Sequence, residues 1–238
     1  MQVFYAPDIE GNTYILDKQE SRHLIKVLRT KKSDPVKLID GKGNLYEGII
    51  AIPDSERCII KISNVIKEFG KRNYRLHLAV SPLKNPERFE WMIEKCVEIG
   101  VDEITPIICQ NSEKKTIRTE RINKIIISAM KQSVKAYITL LHQPVTFEEL
   151  INQKSNHTCL IAHCNRQFER KSINTVYNTG SDVLILIGPE GDFTEKEISI
   201  AINKGFVSVH LGASRLRTET AAIAACHSIY FMNQLSEE

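Results

Sequence analysis

The spacing of apolar positions divides the chain into two regimes. Up to residue 66, short runs rich in Val, Ile, Leu and Tyr are separated by turn residues, a pattern that predicts strands. Strands are expected over residues 2–6, 13–16, 36–40, 45–52 and 57–66, with Asp40-Gly41-Lys42-Gly43-Asn44 as a hairpin turn. One segment departs from this. Leu24, Val27 and Leu28 recur at helical spacing and predict a helix over 18–28. Many short strands with one helix point to a small closed or partly closed barrel.

From residue 75, strands alternate with helices. Strands are expected over 76–81, 103–109, 158–164, 183–187 and 207–211. Asn85 caps a helix with Pro86 at its first position, and this helix buries Phe89, Met92, Ile93, Cys96 and Val97 and ends at Gly100. A second helix, 118–135, turns Ile122, Ile125, Ile126, Ala129 and Val134 inward, and a short one spans 147–151. This alternation predicts an α/β domain with a mostly parallel sheet covered on both faces. The polar, glycine-containing stretch 67–73 reads as a linker, giving domains at 1–70 and 74–238.

Two strand–loop–helix joints follow one another near the C-terminus. Val183–Ile187 is continuously apolar and β-branched, as in a strand buried on both faces. After Gly188-Pro189-Glu190-Gly191-Asp192-Phe193, Thr194 and Glu197 form a capping box, and Phe193 and Ile198 a hydrophobic staple. That helix ends near Gly205. The next strand runs into residues 212–217 and a helix capped by Thr218 or Thr220 that continues to about Asn233. Ala221 to Cys226 are apolar in succession, so this last helix needs burial on more than one side. Two glycine-containing loops thus leave the C-terminal ends of consecutive strands, where open α/β sheets bind their ligands.

Charge sharpens the picture. The net charge is +3, but residues 1–75 hold 14 basic against 10 acidic side chains, whereas the remainder holds 18 against 19. Arg22, Lys26, Arg29, Lys31, Lys32 and Lys37 gather around the expected N-terminal helix, opposed only by Asp34. A solvated face usually mixes both signs, so this cluster suits a phosphate backbone. The six cysteines contain no C-x-x-C pair and point to a reducing compartment. Cys159, His163 and Cys164 share one strand-like run, in which alternation separates His163 from Cys164, and no second ligand cluster follows. The seven histidines show no ligand spacing either, so no metal is expected. With no leader pattern and no apolar run of membrane-spanning length, a cytoplasmic protein without a membrane partner is expected.

The two C-terminal motifs carry a resemblance. Ile187-Gly188-Pro189-Glu190-Gly191-Asp192-Phe193, then Leu211-Gly212 and Leu216-Arg217-Thr218-Glu219-Thr220-Ala221, resemble the signature of the RsmE family. These are SPOUT-class methyltransferases that act on N3 of a uridine in small-subunit (16S) ribosomal RNA. Similar motifs run through Lys84, Lys95–Val101 and Ile104-Thr105-Pro106, and through His23-Leu24 with Val27-Leu28-Arg29, so the resemblance covers nearly the whole chain. Asp192 stands where the family usually has glycine, Ser214-Arg215 where Arg-Ile is common, and Lys135 where an arginine usually follows Gln132-Ser133. The resemblance implies a PUA-like RNA-binding barrel, a SPOUT domain with a C-terminal trefoil knot, S-adenosylmethionine as methyl donor, and a homodimer with RNA bound across both subunits.

Methyl transfer to uracil N3 requires a positioned donor, loss of a weakly acidic proton and stabilisation of charge developing on the base. On the residues of this chain, Ile187, Gly188, Leu211 and Gly212, with Leu216, suit the adenine of the donor, and Gly191 allows close backbone approach. Arg217 suits the uracil anion. Glu190 and Glu219 are candidates for taking the proton or fixing Arg217, and Glu219 equally suits the helix N-terminus electrostatically. Arg22, Lys26, Arg29, Lys31, Lys32 and Lys135 are the expected RNA contacts. A Rossmann dehydrogenase or methyltransferase would place a glycine-rich turn after its first strand, but Ser81–Pro86 has no glycine. Two further alternatives are another SPOUT RNA methyltransferase acting on a different RNA nucleotide, and a non-catalytic RNA-binding module, which leaves both C-terminal loops unexplained.

Overall fold

Five strands build the N-terminal sheet in the computed structural model, which describes residues 3–154 and 157–235. They are β1 (Val3–Tyr5), β2 (Thr13–Ile15), β3 (Pro35–Ile39), β4 (Leu45–Ile52) and β5 (Ile59–Ile66), in spatial order β1-β3-β4-β5-β2. All pairings are antiparallel except β1 with β3. Gln2, expected in the first strand, lies outside the described residues. The hairpin turn forms as its sequence dictates: Asp40 accepts from the backbone N–H of Lys42 and Asn44, and Gly41 and Gly43 take φ 75° and 105°. Phe4, Leu16, Leu24, Leu38, Ile50, Cys58 and Ile60 fill the core of this unit. The unit comprises Met1–Lys71 together with Ile127–Ile138.

The helix expected over 18–28 forms differently. Asp17 caps α1 (Lys18–Arg22) by accepting from Glu20 N–H at 2.8 Å, and a π-helical turn then covers His23–Val27. Leu28 N–H donates to His23 C=O at 3.1 Å, five residues back. The wider turn changes the phase of the apolar stripe. Leu24 is therefore buried, while Val27 and Leu28 are 64% and 40% exposed. Arg29 stops the turn with φ 56°.

The second unit, Arg72–Ile126 and Thr139–Glu238, alternates strands and helices. Its strands are β6 (Leu76–Val80), β7 (Glu103–Ile108), β8 (Leu140–Leu141), β9 (Val145–Thr146), β10 (Thr158–Ala162), β11 (Lys171–Ser172), β12 (Val183–Ile187) and β13 (Val207–His210). They run in the order β11-β13-β10-β12-β6-β7-β8, with β9 also on β7, and every pairing is parallel. The helices after β6 are α2 (Pro86–Ile99), α3 (Thr119–Gln132, which belongs to the first unit from Ile127 on), α4 (Phe147–Ile151), α5 (Ile173–Val176), α6 (Glu195–Asn203) and α7 (Thr218–Leu235). All five residues of β12 are buried, as a central strand with both faces covered requires. Phe147, Leu150, Phe193, Ile198 and Phe206 pack on one face of this sheet with Ile161, Leu184 and Leu186.

Local chemistry sets the helix ends. Asn85 accepts from Glu87 and Arg88 N–H at the start of α2, and Gly100 closes it at φ 117°. The capping box of Thr194 and Glu197 is present at α6, with Phe193 and Ile198 both buried. Two ends differ from expectation. α3 stops at Gln132 because Val134 takes φ 54°, so Val134 is not an inward helical residue and Lys135 lies beyond the helix. α7 begins at Thr218, and Arg217, whose carbonyl accepts from Ala221 N–H, holds the cap position expected for a threonine. No helix among the described residues is long and apolar enough to cross a membrane.

Candidate active site

Because the sheet of the second unit is parallel, the loops after β6, β10, β12 and β13 all emerge at one edge. They enclose a cavity of about 1420 Å³, above the range of roughly 300–1,000 Å³ typical of a site for one small molecule. Ile187, Gly188, Glu190, Leu211, Gly212, Leu216, Arg217 and Glu219 line it, so eight of the nine expected cofactor and catalytic positions meet there. Gly191 is the exception. It faces Asn111, where an added Cβ would come within 3.2 Å of the Asn111 Cβ, so its lack of a side chain serves packing between loops.

The first loop is held from several sides. Ile187 C=O accepts from Ser81 N–H at 3.1 Å, which ties it to the loop after β6. A Cβ on Gly188 would lie 3.0 Å from the Phe193 ring and 3.2 Å from its backbone nitrogen, so glycine lets Phe193 pack closely under the loop. Asp192 adopts φ 61°, a left-handed conformation that aspartate tolerates better than most residues. One of its carboxylate oxygens accepts from Phe193 N–H and the other from Cys164 N–H, each at 2.8 Å. Asn111 donates to the Asp192 carbonyl at 3.0 Å. The Asp192 side chain thus ties this loop to the loop after β10.

The second loop is more open. Gly212 takes φ 114° with nothing within 4 Å of its missing Cβ, so its requirement is conformational. Leu211 and Leu216 are half-buried, whereas Arg215 and Arg217 are exposed. Glu219, only 8% exposed, pairs with Arg88 of α2 at 3.6 Å. Its partner is therefore Arg88, not the neighbouring Arg217. Glu190 is exposed and accepts from the backbone N–H of Lys84 at 3.0 Å. Among the described residues, no carboxylate lies within ion-pairing distance of Arg166, Arg215 or Arg217 (the ion pairs of the second unit involve other cations). All three line the cavity.

Three lining groups escaped the sequence reading. Arg166 and Arg170 follow β10, and Arg170 donates to the His163 carbonyl at 2.9 Å. His163 is buried just past the strand, 3.1 Å from Ser208 Oγ, and desolvation holds its pKa below the usual 6.5 despite the nearby Asp192 carboxylate. The signal for these groups was available only as a third polar loop at the same edge of the sheet, and recognising it requires knowing the strand order.

In the N-terminal unit, Arg22 and Lys26 line a groove with Lys18, His23, Lys131 and Gln132. Lys131 is paired with Glu20 and Lys37 with Glu47, the latter at 3.2 Å, so neither contributes a free charge to a polyanion. Arg29, Lys31 and Lys32 are exposed beyond the π-helical turn, and Lys135 is half-buried after α3. The structure brings Arg22 and Lys26 into one groove and leaves the other four outside its lining.

Comparison with known proteins agrees with this architecture. Residues 70–230 match the model of an RNA methyltransferase domain, and residues 16–63 that of an RNA methyltransferase PUA domain. Ribosomal RNA small subunit methyltransferase E of Mesomycoplasma hyopneumoniae is 30% identical, covering 94% of this chain and 96% of that protein. A probable rRNA methyltransferase structure from Porphyromonas gingivalis is 39% identical, with both chains fully covered and a TM-score of 0.93. The ribosomal RNA small subunit methyltransferase E of Neisseria gonorrhoeae, solved bound to S-adenosyl methionine, is 28% identical over 98% of each chain with a TM-score of 0.88. The matched model spans well over half of the sequence, and both signature loops border the cavity: the chain belongs to the RsmE family of SPOUT-class RNA methyltransferases, with an N-terminal PUA-like domain.

Proposed function

We propose that this protein transfers the methyl group of S-adenosylmethionine to N3 of a uridine in small-subunit ribosomal RNA. The observation that carries the reading is the convergence of both signature loops, with unpaired Arg217 between them, on one cavity large enough for a cofactor and a base together. The residues present fit the cofactor. Gly212 leaves open space at its Cβ position, and Ile187, Leu211 and Leu216 offer apolar surface for an adenine. When bound, the cofactor supplies an electrophilic methyl group on a sulfonium.

The protein's own groups do the rest. The loops after β12 and β13 orient the donor. Arg217 donates to a base carbonyl as negative charge grows there, and Arg88 holds Glu219 beside it. Either Glu190 or Glu219 receives the N3 proton. Arg22, Lys26, Arg29, Lys31, Lys32 and Lys135 hold RNA phosphates. The reading includes a knotted C-terminal topology, action in the cytoplasm and a homodimer. For the dimer, the support is an outer stripe on α7 in which Phe231 and Leu235 are 50% and 57% exposed. The test is incubation with S-adenosylmethionine and small subunits lacking the modification, followed by mass mapping of the RNA. Appearance of one N3-methyluridine supports the reading, and absence of any methylated nucleotide overturns it.

A further inference from the structure

We infer that the second unit carries a divalent-metal site at the end of the sheet away from the cavity, built from His77, Glu103 and His142, and that it takes zinc. One ligand atom from each of the three residues lies within 4.8 Å of the others, the only such group among the described residues. His77, Glu103 and His142 are far apart along the chain and so show no ligand spacing in the sequence; they are brought together by β6, the start of β7 and the residue just past β8.

Strand register explains the juxtaposition. His77 of β6 pairs with Glu103 at the start of β7, and Glu103 pairs with Leu140 of β8. His142 continues the β8 register, its N–H donating to Ile104 C=O at 2.9 Å. Two-residue alternation then puts His77, Glu103, Thr105 and His142 on one face of the sheet. The cavity loops leave the C-terminal ends of β6, β10, β12 and β13, whereas His77 and Glu103 stand at the starts of β6 and β7, and none of the trio lines the cavity.

The side chains are arranged as ligands with outer support. His77 Nε2 lies 2.7 Å from Thr105 Oγ1. When that nitrogen donates, Nδ1 keeps its lone pair for a metal, which is the usual way an outer partner fixes a ligating imidazole. His142 Nε2 lies 2.7 Å from Glu103 Oε2, and the proton between them occupies the place a cation would take. Tetrahedral zinc with nitrogen and oxygen ligands at about 2.0–2.2 Å needs ligand atoms roughly 3.4 Å apart. The present spacing brackets that value, at 2.7 Å between His142 Nε2 and Glu103 Oε2 and no more than 4.8 Å between any two ligand atoms. His142 and Glu103 side chains are 36% and 20% exposed, so an ion can enter and a water can complete four-coordination. Arg75 is the opposing charge, 3.9 Å from Glu103 Oε1, but it is 69% exposed and free to swing away. Two imidazoles and one carboxylate select zinc over magnesium or calcium.

Full-length protein is stripped with a chelator, desalted and titrated with Zn²⁺ by calorimetry. Co²⁺ then serves as an optical probe of tetrahedral geometry. One equivalent of Zn²⁺ is expected, with a rise in melting temperature. His142→Ala should abolish the stoichiometric binding, His77→Gln should weaken it strongly, and Thr105→Val should weaken it about tenfold. Cys164→Ser should leave it intact, and S-adenosylmethionine affinity should not change on stripping. No zinc binding at micromolar concentration overturns the site. So does binding that survives His142→Ala, or binding that is lost in Cys164→Ser.

Discussion

Arg217 sits at the cap of α7, where its carbonyl is committed to Ala221 N–H and its side chain is left exposed at the cavity. A donor used mainly as charge develops lowers turnover when removed and leaves ground-state binding intact. Arg217→Ala should therefore keep cofactor affinity within a few-fold and lose on the order of a hundredfold in rate. Arg217→Lys should recover only part of this, because the planar fork is gone. Equal loss of cofactor binding and turnover in a folded variant would show that Arg217 shapes the loop instead. Asp192 separates two effects in a similar way. Asp192→Ala loses the acceptors for Cys164 and Phe193 N–H while keeping a strained positive φ, so it should cost about 2–3 kcal/mol in denaturant melts. Asp192→Gly loses the same acceptors but relieves the strain and should cost visibly less, and the reverse order would mean that the positive φ stores no strain here. His163 gives the pH dependence. Its folded pKa is depressed by desolvation below the unfolded 6.5, so the unfolded state takes up the proton first. Its contribution to stability is fully present above about pH 6.5 and is lost as pH falls through the folded pKa. His163→Gln should flatten the difference in stability between pH 7.5 and 5, and an unchanged slope would assign the acid sensitivity to other groups.

At the level of elements, the sequence was most legible where local chemistry and burial agree. The α2 cap at Asn85, its end at Gly100, the α6 capping box and the fully buried β12 all follow from residue type and spacing. Two elements were misread because their backbone conformation is not written in the hydrophobic period. Leu24, Val27 and Leu28 have α-helical spacing, but the π turn from His23 to Val27 turns the last two outward. Val134 is β-branched at positive φ, a choice that no propensity favours. For the site, each loop that carried its own glycines was visible in the sequence. The loop with Arg166 and Arg170 was not, because β10 reaches the cavity only through its place between β12 and β13. The capping reading has a simple check: Thr194→Ala should cost about 1 kcal/mol. It should also loosen the loop at residues 109–112, since Glu197 of the same box accepts from Gln110 N–H at 2.8 Å. Hydrogen exchange at Gln110 would show this, and unchanged protection there would confine the effect to the helix.

For the whole molecule, the decisive feature is the outer surface of α7. The buried side of this helix carries Ala222, Ala225, Cys226, Ile229 and Asn233. Asn233 is anchored there by its contacts with Tyr177 and Gly180. The opposite stripe, His227, Phe231 and Leu235, repeats every four residues and is exposed, with the His227 and Phe231 rings stacked 5.9 Å apart. Of the apolar succession that predicts burial on more than one side, Ala222, Ala225 and Cys226 are buried and Ala221, Ile223 and Ala224 half-buried, and the exposed stripe lies further along the helix. An apolar helical stripe left to water is unfavourable for a monomer, whereas a second copy related by two-fold symmetry would meet it with the same stripe. Light scattering should give twice the chain mass at micromolar concentration. Phe231→Glu puts a charge in the centre of that stripe, where pairing by symmetry would bury two like charges together, and should yield a monomer with an unchanged far-ultraviolet spectrum. A wild-type chain that stays monomeric, or a Phe231→Glu variant that still dimerises, would show that α7 does not make the contact.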